Sequence, residues 1–215
     1  AEMLEKQLDF PVVVENDANA AALAELWFGN AKNVSNFLLL KTSAGVGAGI
    51  IYNRKLLTGP RGMAGEIGHI PLQKNGPPCR CGQKGCLETY LYFPDVLKRY
   101  QSETGEAIKD WFELYTKILN HDPVACQILE ELAETMSIAV SLSGGLLDLD
   151  MVVISGVWAN FKELLINRLE QNFQTILELS GLKKKFSVLC STLGEDSDLL
   201  GAVGLFTQKW FTPPI

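Results

Sequence analysis

The chain has 215 residues, of which 47% are hydrophobic and 20% charged, a composition that excludes a disordered or fibrous protein and can fill one large core. Its net charge of −6 repels phosphate backbones and argues against nucleic-acid binding by these residues. No apolar run approaches the roughly 20 residues that span a bilayer, and the first residues lack a secretory signal pattern. We therefore expect a cytoplasmic protein without a membrane partner.

The first part of the chain mixes helical and strand periodicity. Helices are predicted at residues 2–10 and 18–28, the second of them alanine-rich and ended by Gly29. Strands are predicted at residues 11–15, 37–41 and 46–52. Asn53 and Arg54 indicate a hairpin turn after the last of these strands.

The amino-acid composition changes between Thr58 and Cys86, where glycines and prolines cluster. A long irregular stretch of this kind is typical of a functional loop. Beyond Leu87 long helices alternate with short apolar strands. Helices are predicted at 106–119, 122–147, 161–177 and 199–210. Strands are predicted at 151–154 and 186–190. This alternation favours an α/β layer architecture in a single lobe.

Cysteine spacing supplies the first chemical clue. The chain has five cysteines, an odd number that argues against a disulfide framework. Three of them join one histidine in the pattern H-x9-C-x-C-x4-C, formed by His69, Cys79, Cys81 and Cys86. Three thiolates and an imidazole are ligands that a tetrahedral structural zinc takes, so we expect Zn²⁺ here. The alternative is a set of inert cysteines beside an unrelated histidine.

A family resemblance rests on the same segment. Gly65–His69 followed by Cys79–Glu88 resembles the signature of the ROK family, which comprises repressors, open reading frames and sugar kinases. Pro11–Ala20 resembles its catalytic-aspartate segment, and Ser43–Ile51 resembles its second phosphate loop. The resemblance implies an actin/hexokinase-like (ribonuclease H-like) α/β fold of two lobes with a sugar in the cleft between them.

The family's opening Asp-x-Gly-x-Thr phosphate loop does not occur here. We therefore expect residues 1–215 to be mainly the C-terminal lobe, with its N-terminal lobe and any DNA-binding domain outside this chain. The expected parts are a hinge segment at 1–17, a zinc and sugar loop at 58–90 and a helical and α/β remainder at 91–215.

The resemblance also implies a set of ligand-binding residues. It places five side chains around a monosaccharide or sugar derivative: Asn16, Asp17, Glu66, His69 and Glu88. Carboxylates, an amide and an imidazole suit sugar hydroxyls, which both donate and accept hydrogen bonds. In a kinase Asp17 would be the general base that takes the proton of the attacking hydroxyl. The alternatives are a helix N-cap for Asp17 and solvated loop carboxylates for Glu66 and Glu88.

Gly45 and Gly47 are candidates for a phosphate loop that would be used only if ATP and Mg²⁺ bind, as in a kinase. The alternative is close backbone packing in a hairpin. Family kinases tend to have Gly-Thr-Gly where this chain has Ser-Ala-Gly at 43–45. Family kinases also have a Gly-Gly pair after the buried strand on the nucleotide side, where this chain has Ser-Gly-Val-Trp at 155–158. We expect this replacement to set the Trp158 indole beside an adenine pocket.

Two functions are therefore compared, and the resemblance is greater to the repressors than to the kinases. The first is the effector-binding and oligomerisation region of a sugar-responsive transcriptional regulator, a homodimer or tetramer that contacts DNA only through another domain. The second is a truncated ATP-dependent hexose kinase similar to glucokinase. We expect this fragment to phosphorylate nothing by itself, because half of the phosphate cradle lies outside it.

Overall fold

The computed structural model describes residues 1–179 and 187–208, and this part of the chain is built around one mixed β-sheet. Its strands are β1 (Phe37–Thr42), β2 (Val46–Tyr52), β3 (Lys55–Leu56), β4 (Met151–Gly156) and β5 (Ser187–Cys190). Its α-helices are α1 (Glu2–Leu8), α2 (Asp17–Trp27), α3 (Glu88–Leu91), α4 (Phe93–Thr104), α5 (Trp111–Leu119), α6 (Pro123–Leu147), α7 (Lys162–Leu179) and α8 (Ser197–Thr207). Short 3-10 turns lie at Ile67–His69, Val157–Phe161 and Gly194–Asp196.

The strand order is β3-β2-β1-β4-β5. β1 pairs antiparallel with β2 and parallel with β4, and β5 continues the parallel half. Asn53 and Arg54 turn the chain from β2 into β3 with φ of 51° and 60°, the left-handed pair that a tight hairpin requires. The predicted hairpin and the three central strands are thereby confirmed.

Both faces of the sheet are covered, as continuous apolar strands predict. Phe37 and Leu39 pack in one core with α2 and α8, and Leu38 and Leu40 pack in a second core with α6 and α7. Side chains alternate along a strand, so the sheet forms the middle of three layers. The α/β architecture expected from the sequence is confirmed.

The α2 helix lies very close to its neighbours, and this fixes its N-terminal end. A Cβ at Gly49 of β2 would stand 2.3 Å from the Ala18 carbonyl oxygen, and one at Gly201 of α8 would stand 2.4 Å from the Ala20 carbonyl oxygen. Only small residues at these contacts permit such an approach. The alanines of α2 are therefore a packing requirement as well as good helix formers.

One expected strand and one expected helix start differ from the structure. The strand expected at 11–15 is wrong: none of the described strands pairs with this segment, and Val13 and Val14 are 60% and 65% exposed. The helix expected from residue 106 begins at Trp111, because the Asp110 carboxylate caps it by accepting from the Glu113 amide. The predicted ends at Phe186 and Trp210 lie outside the described residues.

In the described part of the chain, none of the helices combines the length and the apolar character that crossing a membrane requires.

Candidate metal and ligand-binding site

The stretch between β3 and α3 has little regular structure but is closely tied by its backbone. Pro71 bridges to Cys86 and Pro78 to Lys84. Within these bridges the Leu72 amide donates to the Gly85 carbonyl at 2.8 Å, and the Cys79 amide donates to the Gln83 carbonyl at 2.8 Å. The loop thereby folds back on itself and brings cysteines that are up to seven positions apart to one place.

These turns gather the four predicted metal ligands. The Nδ1 of His69 lies 3.7 Å from the Sγ of Cys79, and the Sγ atoms of Cys81 and Cys86 are also 3.7 Å apart. All four donor atoms lie within 4.8 Å of one another. Zinc with Zn–S bonds of about 2.3 Å holds tetrahedral ligands roughly 3.8 Å apart, so the donor set and its spacing fit such an ion.

The electrostatics of the cluster also suit a cation. Burial, followed by the neighbouring Cys81, raises the pKa of the Cys86 thiol, which is fully buried. A hydrogen bond to the Gln83 backbone is the main cause that lowers the pKa of the exposed Cys81. Sulfurs this close together can all be thiolates only if a positive charge lies among them.

Two glycines seat this loop on the sheet. A Cβ at Gly65 would stand 1.9 Å from the Ala48 carbonyl oxygen, and one at Gly68 would stand 1.9 Å from the Val46 carbonyl oxygen. The Gly65 carbonyl in turn accepts from the Ala48 amide at 2.8 Å. Glu66 and His69 are therefore held directly against the start of β2.

Gly68→Ala is expected to lower the free energy of unfolding by about 1–3 kcal/mol, because the new methyl group would have to displace β2 backbone. The matched control is Gly145→Ala in α6, where an added Cβ meets nothing within 4 Å and should stabilise the helix by roughly 0.5–1 kcal/mol. Urea unfolding of both variants measures the difference. Equal stability of the two variants would contradict the claim that the loop packs against β2 only with a glycine at position 68.

A cavity of about 300 Å³ opens between this loop, β2 and the start of α2. This is the lower end of the size range of small-molecule sites. All five side chains that the resemblance assigned to a sugar line it, together with both candidate phosphate-loop glycines: Asn16, Asp17, Glu66, His69, Glu88, Gly45 and Gly47. Segments far apart in the sequence thus meet at one place.

The N-cap of α2 is Asn16, and the adjacent Asp17 has a different role. Asn16 is the N-cap of α2, and its Oδ1 accepts from the amides of Ala18 and Asn19 at 2.8 and 3.3 Å. Asp17 is the first residue of the helix, so the N-cap alternative does not apply to it. The Asp17 Oδ2 lies 3.1 Å from the Nζ of Lys41, which is also bonded to Asp198.

The two glutamates differ in their surroundings. Glu66 is exposed, as the solvated alternative allows, whereas Glu88 is 7% exposed. The Oε2 of Glu88 accepts from the Val46 amide at 3.1 Å, and its Oε1 accepts from the Arg80 guanidinium at 3.0 Å. Arg80 lies over the ring of Tyr92, and its hydrogen bond to Glu88 is the main cause that raises its pKa. Glu88 is thus a fixed carboxylate in the cavity wall.

Gly45 and Gly47 lie in the cavity wall, but only Gly45 has the close contact that the packing alternative requires. A Cβ at Gly45 would stand 3.1 Å from the Glu88 Oε2, and one at Gly47 would stand 3.6 Å from the Ala18 Cβ. Larger residues at 45 would push on the buried carboxylate. Gly45 therefore lets the turn before β2 approach Glu88, whereas an alanine at 47 would make an ordinary contact.

A second cavity of about 610 Å³ adjoins the first. Lys41 and Ser43 line both cavities, and the second is further bounded by Gly156 at the end of β4 and by the start of α8. The Trp158 indole expected beside this space is absent from its lining, which instead includes the indole of Trp111. Trp158 is fully buried and its Nε1 donates to the Leu91 carbonyl at 2.8 Å, so that expectation is wrong and Trp158 blocks nothing.

Comparison with known proteins places the chain in a family. The ROK family profile matches residues 1–209. The chain belongs to the ROK family. A glucokinase of Halalkalibacterium halodurans is 30% identical over 220 residues, covering 96% of this chain and 66% of that relative. A xylose repressor of Caldicellulosiruptor bescii is 29% identical over 220 residues, covering 92% of this chain and 55% of the repressor.

Among solved structures, a ROK family glucokinase of Streptomyces griseus in complex with glucose and AMPPNP matches with a TM-score of 0.82. It is 28% identical, and the match covers 95% of this chain and 70% of that chain. The ROK fold implied by the sequence resemblance is confirmed. The chain spans slightly less than two thirds of the glucokinase relative and about half of the repressor relative.

Sequence reasoning missed three charged residues in or beside this candidate site: Lys41, Arg80 and Asp198. Lys41 had a visible signal, because it is the one charged residue in the predicted strand that begins with four apolar residues, 37–40. A charge in such a buried strand is costly unless it is paired. Arg80 stands between two metal-ligand cysteines, which is a weaker signal. Asp198 had none, because its partner is 157 positions away.

Proposed function

We propose that this chain is the sugar-binding and oligomerisation region of a ROK-family transcriptional regulator, stabilised by a zinc ion on His69, Cys79, Cys81 and Cys86. The observation that carries the proposal is the position of His69. Its Nδ1 belongs to the four-donor cluster, and the same residue lines the 300 Å³ cavity. A metal there would fix the ring and leave Nε2 for a ligand.

The cavity wall suits a neutral sugar. Asp17, Glu66 and Glu88 present acceptors, the Asn16 amide can donate, and the His69 imidazole completes the ring of polar groups. A pyranose offers several hydroxyls that would bond to groups of both kinds. The net charge of −6 fits a region that leaves DNA contacts to another part of the protein.

Lys41 lies at the junction of the two cavities. Its side chain lines both cavities and pairs with Asp17 and Asp198. The ammonium group is thus engaged with two carboxylates of this chain, one of which is Asp17. In the regulator, Asp17 would hold a sugar hydroxyl and transfer no proton.

The second candidate function is an ATP-dependent hexose kinase. The adjoining 610 Å³ cavity favours it, because a nucleotide could lie there with its terminal phosphate toward Asp17. The glucokinase relatives agree with this alternative. Asp17 would then be the general base, with ATP and Mg²⁺ as the further requirements.

Self-association has its own support. Ile138, Leu142 and Leu146 recur every four residues on α6 and are 47%, 49% and 84% exposed. Residues four apart lie on the same face of a helix, and such an exposed apolar stripe is typical of an interface. A homodimer or tetramer would cover it.

The test uses the full-length protein with a panel of hexoses, pentoses and their N-acetyl and phosphate derivatives. We expect calorimetry to detect binding of one neutral sugar class and a coupled ADP-release assay to detect no turnover above background. Binding by no member of the panel would overturn the sugar site. Robust ATP-dependent turnover would overturn the regulator in favour of the kinase.

A further inference from the structure

Lys41 is the most deeply buried charge beside the cavity. It is the fifth residue of β1, and its side chain lies on the same face of the sheet as those of Phe37 and Leu39. That face is covered by α2 and α8. Lys41 is 6% exposed, and a lysine so buried is normally paired because an isolated charge there is very costly.

Its two partners stand at the starts of the two covering helices. Asp17 is the first residue of α2, and Asp198 lies in the first turn of α8. The Lys41 Nζ is 3.1 Å from the Asp17 Oδ2 and is hydrogen-bonded to the Asp198 Oδ1. Both carboxylates are 60% exposed, so the ammonium is the buried and fixed member of the group.

We propose that Lys41 is a positioning residue of the sugar site, a built-in cation that holds the Asp17 and Asp198 carboxylates together where other sites would use a divalent ion. This inference rests on the proposed sugar-binding function and adds that the sugar binds with no metal ion beside Asp17. Two carboxylates this close repel each other unless a positive charge lies between them. The ammonium supplies that charge from within the fold.

The consequence is a specific effect of removing the ammonium. Without it, Asp17 and Asp198 face each other as an oxygen pair of the kind that Mn²⁺ and Mg²⁺ bind. A divalent ion could then restore the arrangement that Lys41 maintains. A residue that merely filled space would give a variant without metal dependence.

The experiment measures binding of D-glucose and D-xylose to the full-length, zinc-loaded protein by calorimetry, with and without MnCl₂. The unmodified protein should bind its sugar equally well in both conditions. Lys41→Met should bind it at least roughly tenfold more weakly without Mn²⁺, through loss of a charge-assisted contact. Mn²⁺ should restore most of that loss. Lys41→Arg, which keeps the charge, should bind within about threefold of the unmodified protein.

Two further variants make the readout specific. Lys41→Met with Asp198→Asn should lose the Mn²⁺ rescue, because one of the two carboxylates is gone. Lys98→Met, which removes an exposed lysine paired with Asp95, is the control and should leave sugar binding unchanged. Unchanged binding by Lys41→Met, or weakened binding that Mn²⁺ does not restore, would overturn the inference.

The two proposals can fail separately. If the unmodified protein binds neither sugar, the experiment instead measures the binding of Mn²⁺ alone, which is detected by its electron paramagnetic resonance signal. Binding at Asp17 and Asp198 in Lys41→Met, and its absence in the unmodified protein and in the double variant, would support the built-in cation. Equal Mn²⁺ signals in all three would overturn it.

Discussion

Replacing Cys81 with serine is expected to release the proposed zinc ion and to abolish sugar binding while the helical half of the protein stays folded. Cys81 is an exposed member of the four-donor cluster, and a serine hydroxyl is a much poorer zinc ligand than a thiolate. Without the ion, the loop that carries Glu66, His69 and Glu88 loses the contact that orders it. We expect sugar affinity to fall on the order of 100-fold or more.

The measurements are zinc content by elemental analysis, sugar binding by calorimetry and helix content by circular dichroism. Cys126→Ser is the matched control, because Cys126 is half-buried on α6 and lies outside the cluster. That variant should keep its zinc and its sugar. Full sugar affinity in Cys81→Ser after its zinc is lost would contradict the link between the metal and the cavity.

Glu88→Gln is expected to lower both sugar affinity and stability. The two oxygens of Glu88 accept from the Val46 amide and from Arg80, and a glutamine offers only one acceptor oxygen. One of these donors would be left facing an NH₂ group in a buried wall. We expect a loss of about 1–2 kcal/mol in the free energy of unfolding and a fall of roughly 10- to 100-fold in sugar affinity.

Glu66→Gln separates the two effects. Glu66 lines the same cavity but is exposed, so its replacement should weaken sugar binding with little change in stability. Urea unfolding and calorimetry on both variants provide the comparison. If Glu88→Gln bound sugar as tightly as the unmodified protein, the role of Glu88 would be to anchor the backbone at Val46, and it would not be a sugar ligand.

Much of this site was predictable because its residues come in short, chemically distinctive runs. The spacing of His69, Cys79, Cys81 and Cys86 limits them to one loop, and glycines between them allow the turns that the structure contains. The central strands were equally visible as continuous apolar runs between turn residues. In both cases the information is local, so the sequence alone expresses it.

The remainder depends on contacts between distant segments. Lys41 meets Asp17 and Asp198 only because the sheet brings the ends of α2 and α8 together. Trp158 was misassigned because its burial against Leu91 is a tertiary contact. Residues 11–15 have the composition of a strand, but a strand needs a neighbour to bond with, and none of the described strands lies beside them.

The central claim is that one imidazole, that of His69, contacts a zinc ion through Nδ1 and a sugar through Nε2. A crystal structure of the full-length protein with its bound sugar, recorded at the zinc absorption edge, tests it most directly. We predict an anomalous peak among His69, Cys79, Cys81 and Cys86, with sugar density in the adjoining cavity within hydrogen-bonding distance of the same ring. No anomalous peak there, or a sugar bound away from His69, would contradict the claim.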